Sequence, residues 1–177
     1  VLQLRIRACH VRGTFQTRDN VPPAMSTRHL LPEPAAFDYA KLAHPPVTYR
    51  QEKLKSDARI PAARRYIVAH ALNEHVGGDA HGIGFIVQGG LYNSLIRALQ
   101  QFGLADGLGE PTVAILVLNV VHPLVPDELA AFCRDKRAVL VLEEGQPEFI
   151  EQELLATLRR AGVPTAVAGK GALPMTG

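Results

Sequence analysis

Three short stretches put groups capable of chemistry directly after an apolar run. Gln88-Gly89-Gly90 follows GIGFIV, Asn119 with Val120, Val121 and His122 follows AILVL, and Glu143-Glu144-Gly145 follows AVLVL. A glycine pair between a strand and a helix lets backbone N–H groups close on a phosphate at the positive end of that helix. Adjacent carboxylates at a strand end stand where parallel-sheet enzymes keep their acids, able to hold or move a proton. His122, before Pro123, offers an imidazole of the kind used as a general base. Each stretch has a plainer reading too. The glycines suit a tight turn and close packing. One glutamate suits a cap on the next helix and the other an ion pair, while His122 suits a polar loop. His10, between Arg7 and Arg12, adds a basic cluster that fits an anionic substrate, a partner chain or a solvated edge equally.

Spacing decides several of these readings. A dinucleotide fingerprint needs G-x-G-x-x-G after the strand. Here Gly82 and Gly84 precede the strand core, and Gly89-Gly90 lacks a third glycine, with Ser94 in that region. Gly103 and Gly107 come after the helix, and no Gly-Lys-Ser/Thr follows a glycine loop. Cys9 and Cys133 lie far apart, without the C-x-x-C spacing of a zinc or iron–sulfur site. They read as two reduced thiols of a cytosolic protein. Neither a Ser/His/Asp arrangement nor H-E-x-x-H is visible.

The elements that must position these groups are legible from residue 60 onward. IPAARRYIVAHALNEHV carries apolar residues at helical spacing with Pro61 in the first turn, and Gly77-Gly78 stops it. Three strand–helix repeats follow: GIGFIV with LYNSLIRALQQFG, TVAILVLNVV with DELAAFCRDK, and AVLVLEEG with PEFIEQELLATLRRAG, where Pro147 is expected in the first helical turn. PTAVAGKG supplies a last short strand. The strand cores are continuously apolar, which parallel strands covered on both faces require. The fold class is therefore α/β: a three-layer open sandwich with a mainly parallel sheet, Rossmann-like in plan. In such sheets ligands collect beyond the carboxyl ends of the strands, where all three stretches fall.

Residues 1–7 alternate as a strand with one polar face. The segment 8–37, with Pro22-Pro23, Pro32 and Pro34, reads as a long connector. Residues 37–55 read as a surface segment in which Pro45-Pro46 forbid a regular helix through the centre. A chain that opens at Val1 inside a strand-like run reads as a piece cut from a longer polypeptide. Of its 177 residues 47% are hydrophobic and 20% charged, with net charge +2. That balance argues against nucleic acid or an anionic membrane as the main partner. No apolar run approaches the ~20 residues that span a bilayer, and Arg5 and Arg7 interrupt the only candidate leader.

QGGLYNSLIRALQQFGLAD and PTVAILVLNVVHPLVPDELAAFCRDKRAVLVLEEGQPEFIEQEL strongly resemble the large subunits of the indolepyruvate ferredoxin oxidoreductases, within the thiamine-pyrophosphate-dependent 2-oxoacid:ferredoxin oxidoreductases. LQLRIRACHVRGTF looks like the end of that family's pyrimidine-binding domain, and KLAHPPVTYRQEKLK like the connector after it. The resemblance implies a division at residues 1–59 and 60–177, the second part similar to the C-terminal domain of transketolase. It implies a cytoplasmic parent enzyme that oxidatively decarboxylates aryl 2-oxoacids to acyl-CoA and reduces ferredoxin. That enzyme would use thiamine pyrophosphate, magnesium and 4Fe-4S clusters, with coenzyme A as cosubstrate.

The departures are specific. The family's Gly-Asp-Gly with paired asparagines downstream is missing; GDAHG at Gly78 has Ala80 in third place. The cluster cysteines are absent as well. The expectation is a domain inactive by itself, without catalytic, cofactor-binding or metal-binding residues of its own. Its strand-end loops (Gln88, Gly89, Gly90, Asn119, His122, Glu143 and Glu144) would form an interface or anion site. The partners implied are the enzyme's remaining domains, a second subunit or a second copy in a homodimer. The alternative is a self-sufficient nucleotide-binding domain using the Gly89-Gly90 turn.

Overall fold

The computed structural model describes residues 38–78 and 82–172, together with Gln16 and Asp19. The expectations for residues 1–7, for His10 and its arginines, and for most of the proline-rich connector lie outside the described residues. The chain divides into two compact units, Val1–Ala40 and Lys41–Gly177, and the architecture below is that of the second.

β2 (Ile83–Gln88) and β3 (Ala114–Leu118) are the interior of a five-stranded sheet ordered β1-β3-β2-β4-β5, with β1 spanning Glu74–Val76, β4 Ala138–Leu142 and β5 Ala166–Ala168. β3, β2, β4 and β5 are parallel, with Val87 opposite Val117 on one side and Leu142 on the other. Successive residues of a strand face opposite ways, so a strand that is dry on both faces must be apolar throughout. Ile86, Leu116, Leu118, Val139 and Val141 pack with α4 (Pro126–Cys133) and α5 (Phe149–Ala161). Val87, Ile115 and Val117 pack with α3 (Tyr92–Gln101), whose inward stripe is Tyr92, Leu95, Ile96 and Leu99. This is a three-layer α/β sandwich with a mainly parallel sheet. Each of the wholly buried residues Ile86, Leu116, Leu129 and Leu154 contributes about 1.5–3 kcal/mol through loss of water contact.

Two features differ from the sequence expectation. Helix begins at Val47, directly after Pro45-Pro46, and continues to Ala69. It comprises α1 (Val47–Leu54), a wide π turn (Lys55–Arg59) and α2 (Ile60–Ala69). The N–H of Ile60 bonds the carbonyl of Lys55, five residues back. A regular helix would drive the Pro61 ring into the carbonyl four residues earlier, and the π turn gives it room. Pro61 therefore sits inside a longer helical run rather than opening one.

The helix also stops earlier than its periodicity suggests, and Glu74–Val76 forms an edge strand antiparallel to β3. The cause is tertiary. Asn119, past the end of β3, donates to the carbonyl of Leu72 at 3.0 Å and to Glu74 Oε1 at 2.7 Å. The N–H of Val120 donates to Asn73 Oδ1 at 3.1 Å. Residues 72–74 cannot both continue the helix and make these bonds. The reversal runs through Ala71 at φ 46°, a left-handed conformation that costs an L-residue about 1–2 kcal/mol. Ala71→Gly is therefore expected to raise the unfolding free energy by about 0.5–1 kcal/mol in urea titrations, despite the usual cost of added chain entropy.

Candidate functional site at the carboxyl edge of the sheet

The three stretches singled out in the sequence meet at one edge, where β2, β3 and β4 end. Gln88 ends β2, and its Oε1 accepts the N–H of Glu144, beyond β4, at 2.9 Å. Gly89 follows, beside Asn119: a Cβ at residue 89 would lie 2.6 Å from Asn119 Oδ1. Glycine is needed here for close approach rather than for an unusual backbone, whereas nothing lies within 4 Å of a Cβ placed on Gly90. Asn119 in turn ties the end of β3 to the start of β1. The Lys170 ammonium, after β5, donates to the carbonyl of Gly145.

Glu143 has the most defined role. Its carboxylate accepts the N–H of Ile150 on Oε2 at 2.9 Å and that of Glu151 on Oε1 at 3.1 Å. These are the second and third residues of α5, whose first N–H groups have no partner within the helix. The carboxylate satisfies two of them and places a negative charge at the positive end of the helix dipole. Pro147 is not in the first turn of α5; it precedes Glu148, the residue that flanks the helix start. A polar side chain from the end of β4, rather than the residue next to the helix, thus caps α5. A phosphate approaching this helix end would meet a carboxylate already bonded to the donors it needs.

His122 is exposed and stands apart, with no bonding partner among the described residues. Sequence reading passed over Asn73, Glu74, Glu128 and Lys170. Asn73 is 6% exposed and donates from Nδ2 to Glu128 Oε2 at 2.7 Å. Glu128 Oε1 lies 3.7 Å from His75 Nε2. The available signal was two polar residues, Asn73-Glu74, in a segment assigned to a helix. Glu128 reads from sequence only as an acid in a first helical turn.

Chemically the edge binds itself. Among the described residues no group of three or more His, Cys, Asp or Glu side chains could hold a metal ion. Clefts among the described residues open elsewhere on the domain, lined by His75, Gly78 and Phe132, by Arg65 and Pro126, and by Asp127 and Thr157, and these include none of the seven candidate residues. Cys133 is buried in the α4 layer, and burial, opposed by the nearby Lys136 charge, pushes its thiol up to about 11. No helix of the described residues is long and apolar enough to cross a membrane.

Fold and edge together define a three-layer α/β domain whose strand-end side chains are bonded mainly to backbone groups of neighbouring loops and helix starts. No protein-family model matches the chain. A curated relative, the indolepyruvate oxidoreductase subunit IorA of Methanothermobacter marburgensis, is 28% identical over 182 residues, covering 98% of this chain and 26% of its own length. The match supports the resemblance drawn from the QGGLYNSL, HPLVP and LEEGQPEFIEQE strings. The chain spans about a quarter of the relative it matches.

Two outcomes are expected from this geometry. Glu143→Ala removes both bonds at the start of α5 and lowers stability by about 1 kcal/mol, read as a drop in melting temperature of about 3–5 °C. Glu143→Gln, which keeps one acceptor oxygen, loses roughly half as much. In a Cys9→Ser background, Cys133 stays unreactive toward an alkylating reagent at pH 8 until the protein unfolds. Its folded pKa is raised above the unfolded value, so the thiol binds its proton more tightly in the native state. The stability it contributes is complete below pH 9 and declines as pH rises toward 11.

Proposed function

We propose that this chain is a scaffolding domain from the large subunit of an indolepyruvate oxidoreductase, with the place and role of the transketolase C-terminal domain. The parent enzyme would oxidatively decarboxylate an aryl 2-oxoacid, pass the acyl group to coenzyme A and reduce ferredoxin. Thiamine pyrophosphate, magnesium and 4Fe-4S clusters would be held by other parts of that protein. Support comes from the IorA match along almost the whole chain and from the α/β architecture.

The observation that carries the scaffolding role is Glu143. In an open parallel sheet the strand-end helix is where a diphosphate would be held, and here a carboxylate of the chain itself bonds two of its N–H groups. The described residues at this edge do not fit a diphosphate, and no catalytic step is assigned to them. Their work is to join four strand ends into a firm surface, with Gln88, Asn119, His122 and Glu144 facing the rest of the enzyme. The same contacts weigh against the nucleotide-binding alternative, because Gly89 is accounted for by Asn119 at its side.

The test uses the full-length enzyme with its partner subunit, assayed for 2-oxoacid-dependent ferredoxin reduction. Glu144→Ala and His122→Ala should each leave kcat/KM within about threefold of the parent; a loss beyond a hundredfold, about 2.7 kcal/mol of barrier, would make either residue part of the chemistry. Calorimetry of the 177-residue chain with NAD, ATP, coenzyme A and thiamine pyrophosphate should show no micromolar binding. Micromolar nucleotide binding abolished by Gly89→Ala would instead establish the alternative.

A further inference from the structure

We draw no further inference here: the strongest candidate, the cleft of about 400 Å³ beside β1 lined by His75, Phe132 and Lys136, carries nothing, because His75 already faces the Glu128 carboxylate at 3.7 Å and nothing in the structure selects an occupant.

Discussion

Everything at the carboxyl edge depends on β2 and β3 being dry on both faces. Ile86 and Leu116 point into one helical layer while Val87 and Val117 point into the other, so neither strand can slip by a residue without exchanging two buried faces. Register is thereby fixed at the strand ends. Gln88, Asn119 and Glu143 each follow the last apolar residues of a strand, and the shared register brings them to one edge. Their polar side chains lie just where the backbone leaves the core and its N–H and C=O groups lose their ladder partners.

Those side chains then do the work that water or a ligand does in other α/β proteins. Gln88 receives the N–H after Glu143, Asn119 holds the first residues of β1, and Glu143 closes the exposed donors of α5. Each bond is worth only about 0.5–1.5 kcal/mol net. Together they tie loops that are far apart in sequence, since Gln88 and Glu144 are separated by 56 positions and Asn119 and Leu72 by 47. An edge built this way resists deformation and leaves few donors over for a phosphate. Those are the properties that the proposed scaffolding role calls for.

How far the residues announced this arrangement varied with the origin of each feature. The three strand–helix repeats were legible because continuous apolar runs alternating with 3.6-residue periodicity admit few folds. Glu143 was legible as a helix cap or an acid but not as one rather than the other, because that choice depends on where Ile150 and Glu151 lie relative to it. The edge strand Glu74–Val76 was missed outright: residues 60–76 have apolar spacing compatible with one helix, and the competing attraction comes from Asn119 and Val120, more than forty residues away. The helix preceding Ile60 was hidden for another reason. Pro61 marks a helix start by local rules, and a π turn that accommodates a proline within a helix leaves no signature of its own.

By itself the sequence determined the α/β class, the parallel core and the positions at which polar residues would emerge from it, because burial on two faces permits only apolar strands and periodicity is a local property of the chain. The tertiary structure alone decided which backbone donors and acceptors those emerging groups satisfy, and that β1 runs antiparallel. Hydrogen bonds and charge pairs between remote residues depend on distances of a few ångströms, and such distances exist only once the layers have packed.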